Sequence, residues 1–149
     1  MLPVMAKTLL RRRDGTFGAL DETARTRRGE YVEGAIVLTV WGVEVLDTTL
    51  WDDVDHLWGY LADIVEDLVD GKDGGTYFPD QPVELSFRNI PREHVVVSVR
   101  AGEEKRTAAA PKDALLDALR TAGNEFFDWL DHVAPVDSGR ERAKLNHRR

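Results

Sequence analysis

The feature of this sequence best suited to chemistry is a row of carboxylates along one predicted helix. Residues 52–70 contain no lysine or arginine, and His56 is the only side chain among them that could carry a positive charge. The six acidic residues that point away from the apolar stripe of this helix are Asp52, Asp55, Asp63, Glu66, Asp67 and Asp70. Like charges three or four residues apart on a helix destabilise it by about 0.2–0.5 kcal/mol per pair. We therefore expect the row either to serve solubility or to bind a basic protein partner.

Aromatic side chains at predicted turns are the second candidate for binding. Strand or helix periodicity does not require Trp41, Trp51, Tyr77 or Phe78 at their positions. Tryptophan and tyrosine are enriched at the energetic centres of protein interfaces. Packing beneath the edge of a sheet is the competing interpretation. We expect Trp51, Tyr77 and Phe78 to join the acidic row in contacting a partner.

His56 is the histidine with the most acidic surroundings. It lies beside Asp52 and Asp53 and on the same outer face of the predicted helix as Asp63. Neighbouring carboxylates favour the imidazolium form, so His56 could be a general acid or a pH-sensitive contact. The plainer interpretation is a surface histidine that its neighbours stabilise. The histidines lack the paired spacing of a zinc site and residues 67–73 break the register of a calcium loop, so no metal site is expected.

Several classes of enzyme lack the residues they need. The chain has no cysteine, which excludes thiol nucleophiles, thiolate zinc sites and disulfides. Gly74 and Gly75 follow a predicted helix, whereas a phosphate-binding loop precedes one. Ser86 and Ser98 lie in alternating strands and not in a nucleophile elbow. The sequence predicts no catalytic residue and no cofactor. With no apolar run of membrane-spanning length and no secretion signal, a cytoplasmic protein without a membrane partner is expected.

Two helices and several strands must position these side chains. Apolar residues recur at three- and four-residue steps in residues 52–70 and 111–134, which predicts two long amphipathic helices. Alternating or β-branched stretches predict strands at residues 31–41, 43–47, 83–88 and 94–100, with a further short strand near 105–109. The links between strands are too short for parallel crossovers. The predicted class is α+β, an antiparallel sheet of about four to six strands with two long amphipathic helices packed on one face.

Charge divides the chain into three parts. Residues 1–30 carry a net charge of +3, residues 31–134 of −13 and residues 135–149 of +3. We predict that residues 31–134 form a single α+β domain, that residues 1–30 are a loosely ordered basic arm and that residues 135–149 are a basic, disordered tail. A short hairpin around Asp14-Gly15 is the alternative for the arm. The acidic body is expected to repel nucleic acid and to attract basic proteins.

A resemblance to known proteins rests on two parts of the chain. They are the segment Gly34–Leu68, with its Trp41-Gly42 turn and its Leu50-Trp51-Asp52-Asp53 helix entry, and the pair Phe126-Phe127 in the late helix. Together these features resemble small uncharacterised acidic proteins of actinobacteria, some of which sit beside secreted toxins as their immunity partners. The resemblance covers about two thirds of the chain and implies no functional residue.

These observations favour a non-catalytic module whose acidic face docks a basic protein, with toxin neutralisation as one form of that function. The first alternative is a small enzyme in which an Asp or Glu and a histidine, His56 or His94, share a pocket. Nucleic-acid binding through Arg11–Arg13 or the basic tail is another. A structural domain without a ligand is the last.

Overall fold

The computed structural model describes residues 2–21, 31–134 and 137–149. In chain order the strands in these ranges are β1 (Val4–Arg11), β2 (Phe17–Gly18), β3 (Glu33–Val40), β4 (Val43–Leu46), β5 (Asp52–Asp53), β6 (Gly74–Tyr77), β7 (Val83–Ile90), β8 (His94–Ala101) and β9 (Glu104–Pro111). The α-helices are α1 (Val54–Val69), α2 (Lys112–Val133) and α3 (Gly139–Leu145), and Thr48–Leu50 form a 3-10 turn. None of these helices has both the length and the apolar character needed to cross a membrane. The predicted α+β class with two long helices is confirmed.

The strands of the described ranges pair antiparallel in two sheets. The first sheet has the order β2-β1-β3-β4, with β5 paired to β3, and the second has the order β6-β7-β8-β9. The sequence predicted a single sheet. The division falls at α1, which follows β5 and precedes β6 and therefore separates the two sets of strands along the chain. The helix α2 packs along β1, while α1 contacts β3 of the first sheet and β6 and β7 of the second.

The prediction of a loosely ordered arm is wrong for residues 4–11, which form β1. This strand pairs with β3 from Val4↔Val40 to Leu10↔Gly34. The close approach requires a glycine at position 34, because an added Cβ would lie 2.4 Å from the carbonyl oxygen of Leu9. The alternative of a hairpin around Asp14-Gly15 agrees with the structure, since β1 returns through a short turn into β2. Most of the remaining arm, residues 22–30, lies outside the described residues.

Trp58 connects α1 to the helix α2 and to the strand β1. Its side chain is fully buried, and its ring stacks on Phe126 of α2 with 6.4 Å between ring centroids. Its indole Nε1 donates a hydrogen bond to the Thr8 hydroxyl of β1 at 2.9 Å. Burial of this large apolar surface, together with a satisfied N–H group, holds α1 against β1 and α2.

The predicted disordered tail contains the helix α3. Leu145 at its end is fully buried, and the guanidinium Nε of Arg120 on α2 donates to the Leu145 carbonyl oxygen at 2.9 Å. Gly123 on α2 makes room for it, because an added Cβ there would lie 2.7 Å from Leu145 Cδ1. A single apolar anchor gives no periodicity, so the sequence pattern did not predict this helix. Residues 135–136 of the predicted tail lie outside the described residues.

Candidate functional site

The outer face of α1 does not carry the uncompensated row of carboxylates that the sequence predicted. Lys144 Nζ of α3 lies 2.5 Å from Asp63 Oδ1. His147 Nε2 lies 2.8 Å from Asp70 Oδ1, and this hydrogen bond lowers the pKa of Asp70. Both partners lie more than 70 residues further along the chain, where a local pattern cannot reveal them. The positive charge of Lys144 therefore offsets part of the acidic face, and the hydrogen bond from His147 engages Asp70.

Three further predicted carboxylates of the α1 face are half-buried. They are Asp55, Glu66 and Asp67. Burial, followed by the negative charge of Asp53, raises the pKa of Asp55. Glu66 contributes to the acidic environment that raises the pKa of Lys144, after the dominant hydrogen bond to Asp63. These three carboxylates are therefore only partly accessible to a partner.

Two predicted surface residues are buried instead. Asp52 is 3% exposed and Phe78 is 5% exposed, so neither belongs to an open docking surface. The backbone N–H of Phe78 donates to the Val83 carbonyl oxygen at 2.9 Å, and the Phe78 side chain packs in the core. Tyr77 is exposed on β6, where a hydrogen bond to Glu84 on the neighbouring strand raises its pKa. Trp51 is half-buried at the entry to α1.

A cleft of about 360 Å³ opens between the start of α1 and β3, and we call it the acidic cleft. Its lining consists of the carboxylates Glu33, Asp52, Asp53 and Asp80, the aromatic residues Tyr31 and Trp51, and the polar residues Thr49 and Gln81. The pairing of β5 with β3 places Asp53 opposite Glu33, which gathers acidic side chains that are distant in sequence. Of the nine predicted site residues the cleft contains Trp51 and Asp52. The sequence reasoning missed Glu33, Asp80 and Tyr31, for which no local pattern gives a signal.

Asp52 builds the wall of the acidic cleft. Its carboxylate accepts hydrogen bonds from the backbone N–H groups of Asp53 at 2.6 Å, Asp80 at 3.1 Å and Gln81 at 2.8 Å. The side-chain amide of Gln81 donates to the carbonyl oxygen of Trp51. These bonds fasten the loop before β7 to the entry of α1. Asp52 is therefore a positioning residue, whose buried charge is stabilised by backbone dipoles.

Asp53 and His56 form a coupled pair at the edge of the acidic cleft. Asp53 caps α1 by accepting from the backbone N–H of Asp55 at 3.1 Å, and its Oδ2 lies 2.7 Å from His56 Nδ1. This side-chain hydrogen bond is the main reason why the pKa of His56 is raised above its ordinary value of 6.5. The His56 side chain is 58% exposed, so its second ring nitrogen remains open to solvent. The sequence prediction that carboxylates favour its imidazolium form is consistent with this geometry.

We expect the Asp53–His56 pair to make the stability of the folded protein depend on pH. Because the pKa of His56 is raised in the folded state, its stabilisation is fully present below about pH 6.5 and is lost as the pH rises through the raised value. We expect the free energy of unfolding to fall between about pH 6 and about pH 8.5 less steeply in His56→Gln than in the wild type. Urea unfolding across this range measures it. His132→Gln, at an exposed position of α2, is the matched control, and equal slopes for His56→Gln and wild type would contradict the assignment.

Arg11 shows which chemistry the rim of the acidic cleft recognises. Its guanidinium carbon lies 4.3 Å from the centroid of the Trp51 ring, and its Nη1 lies 3.2 Å from Glu33 Oε2. A planar cation between an aromatic face and a carboxylate is a favourable arrangement for arginine in particular. The sequence interpretation had placed Arg11 in a free basic arm, but the folded chain binds it at the cleft.

Within the part of the chain that the structure describes, no group of three or more acidic or histidine side chains is arranged to hold a metal ion. Comparison with protein families, with curated proteins and with solved structures finds no match to this chain.

Proposed function

We propose that this protein is a non-catalytic binding module that docks a basic protein partner and that the acidic cleft is the centre of the contact. The observation that carries the proposal is the composition of the cleft, in which four carboxylates and two aromatic side chains surround about 360 Å³ and none of the eight lining residues is basic. Carboxylates and aromatic faces are the groups that bind a guanidinium. The partner is therefore expected to insert an arginine.

The acidic cleft replaces the outer face of α1 as the proposed contact. Asp63 on that face is already paired with Lys144 of α3 and Asp70 with His147 just after it, whereas the carboxylate of Asp80 forms no ion pair with the described residues. Tyr31 beside it is exposed. These two side chains are the proposed contact groups, while Asp52 and Asp53 shape the cleft and add to its negative field.

Charge outside the cleft supports the same kind of partner. The net charge of −13 on residues 31–134 accelerates encounter with a basic protein. A toxin that binds nucleic acid through a basic surface is one such partner, and covering that surface would block it. Toxin neutralisation, the role implied by the sequence resemblance, is therefore a specific form of this proposal.

Calorimetric titration of the full chain with an oligoarginine peptide tests the proposal. We expect binding that is tighter than for an oligolysine of equal length, because the guanidinium stacks on aromatic rings, and that weakens as salt is raised. Asp80→Lys should weaken binding about tenfold or more, since a like charge would then face the peptide. The matched control is Glu103→Lys, an equal charge change at an exposed position in the turn between β8 and β9.

The same variants can be used to capture a natural partner from a lysate of the source organism. Capture that Asp80→Lys abolishes and Glu103→Lys preserves is the expected result. If the two substitutions weaken oligoarginine binding equally, the attraction comes from overall charge and not from the cleft. Absence of any oligoarginine binding by the wild type would contradict the proposal outright.

A second candidate, a small enzyme using a carboxylate and a histidine, is favoured by the Asp53–His56 pair. An imidazole held by a buried carboxylate can act as a general base. We place this function second because His56 does not line the cavity, and because the Thr49 hydroxyl that does line it is hydrogen-bonded to Asp47. If the protein is a binding module, His56→Gln leaves oligoarginine binding unchanged.

A further inference from the structure

A cavity of about 320 Å³ lies between the first turns of α2 and the residues that follow α3, and we call it the basic pocket. Four of its lining residues are cationic, namely Lys112, Arg120, Arg148 and Arg149. Two are acidic, namely Glu93 and Asp113, so the charged side chains that line the pocket carry a net charge of +2. Residues 31–134 as a whole carry −13, which makes this local excess of positive charge unusual for the chain.

Helical spacing and the path of the C-terminal residues bring the four cations together. Lys112 and Arg120 are about two turns apart and lie on the same side of α2. The Arg120 guanidinium donates from Nε to the Leu145 carbonyl oxygen at 2.9 Å and from Nη2 to the His147 carbonyl oxygen at 3.1 Å. These two hydrogen bonds hold the residues after α3 against α2, so that Arg148 and Arg149 line the same pocket.

The positive charge of Arg120 is only weakly compensated by the chain itself. Its side chain is 9% exposed, and both of its hydrogen-bond acceptors are neutral carbonyl oxygens. The carboxylate of Asp117 lies 4.0 Å from Nη1, beyond hydrogen-bond distance, and is 74% exposed. Burial and, after it, the positive charge of Arg148 lower the pKa of the Arg120 guanidinium. A buried cation beside another cation is stabilised when an anion binds.

The other cations of the basic pocket keep donors for a ligand. Within the described ranges neither Glu93 nor Asp113 forms an ion pair, so the two acidic side chains do not neutralise the pocket. Arg148 is exposed and makes no hydrogen bond or ion pair with the described residues. Lys112 Nζ donates to the neutral side-chain oxygen of Asn89 at 2.9 Å, which leaves its charge uncompensated.

We propose that the basic pocket binds a phosphate group, either as the free ion or on a small molecule. A phosphate group has at least three oxygens that can each accept from a different cation, whereas a carboxylate has two. Arginine donates two parallel hydrogen bonds to phosphate, and it supplies three of the four cations. The cavity has the volume of a small-molecule site, and the net charge of −7 on the chain repels a long polyanion such as nucleic acid. This site does not depend on the proposed function of the acidic cleft.

Calorimetric titration of the full chain with inorganic phosphate tests the basic pocket. We expect saturable binding of one phosphate per chain, and binding of acetate that is about tenfold or more weaker, because acetate has a single charge and two oxygens. Arg148→Gln should weaken phosphate binding about tenfold or more, since it removes a guanidinium that is free to donate to the ligand. Methyl phosphate separates the two sources of the group. Tighter binding of the ester than of the free ion indicates a phosphorylated small molecule, and weaker binding indicates the ion.

The matched control is Arg140→Gln, an equal change of charge at an exposed position of α3 outside the pocket, which should leave phosphate binding intact. Lys112→Gln is a second variant that should weaken binding. Arg120 and Arg149 are less suitable, because Arg120 holds the residues after α3 and Arg149 Nε lies 3.9 Å from Asp70 Oδ1. A wild type that binds no phosphate overturns the proposal. So do equal losses in Arg148→Gln and Arg140→Gln, or acetate binding as tight as that of phosphate.

Discussion

Replacing Asp52 by alanine is expected to lower the free energy of unfolding by about 2–4 kcal/mol and to abolish binding at the acidic cleft. The carboxylate accepts from three backbone N–H groups, two of them in the loop at Asp80 and Gln81. Because Asp52 is almost completely buried, water cannot easily replace these bonds after the substitution. Urea unfolding measures the stability change, and titration with the oligoarginine peptide measures binding.

Two further variants separate the structural and the binding roles of the cleft. Asp52→Asn keeps one acceptor oxygen and should destabilise the protein less than Asp52→Ala does. Asp80→Ala removes an exposed carboxylate that accepts no hydrogen bond from the described residues, so it should weaken binding with little effect on stability. An Asp52→Ala variant that unfolds at the same urea concentration as the wild type would show that this carboxylate does not fasten the loop.

The two long helices were predictable because their information is local. The apolar stripe of α1 indicated a helix over residues 52–70, and the structure has it at Val54–Val69, since Asp52 and Asp53 pair with β3 and Asp53 serves as the cap. The Asp53–His56 pair was accessible for the same reason, because the two residues are three positions apart. Two residues three positions apart are neighbours wherever the helix is formed.

Elements that depend on distant residues were not predictable. The inward side chains of β1 include Ala6 and Thr8, which are too small or too polar to give a hydrophobic alternation. The polar Thr8 is tolerated inside only because it accepts from Trp58, 50 residues away. A strand recognised only through such a contact looks like a polar arm when the sequence is read alone.

Dependence on distant residues also explains why the proposed binding site differs from the one predicted from the sequence. Within residues 52–70 the only side chain that can carry a positive charge is that of His56, which pairs with Asp53. The partners of Asp63 and Asp70 are Lys144 and His147, which lie at the end of α3 and just after it. Arg142 does the same for α2, where it pairs with Asp128 and Asp131. Opposite charges at the ends and in the body of a chain thus predict intramolecular pairing as much as they predict a partner.

Replacing Leu145 by alanine is expected to lower the free energy of unfolding by about 2–5 kcal/mol. Its side chain is fully buried at the end of α3 and occupies the space that Gly123 leaves open on α2, next to Trp58. The deletion leaves a cavity that the rigid helix α2 cannot close. Urea unfolding of the full chain measures the change.

The comparison with Lys144→Ala decides what holds α3 in place. That substitution removes the ion pair to Asp63, which is partly exposed, and should cost only about 0–1 kcal/mol. If apolar burial anchors α3, Leu145→Ala is much the more damaging of the two and also frees Asp63 and Asp70 from their partners by releasing the helix. Equal costs for the two variants would contradict the apolar anchoring of α3. The outer face of α1 would then be open to competition from a basic partner.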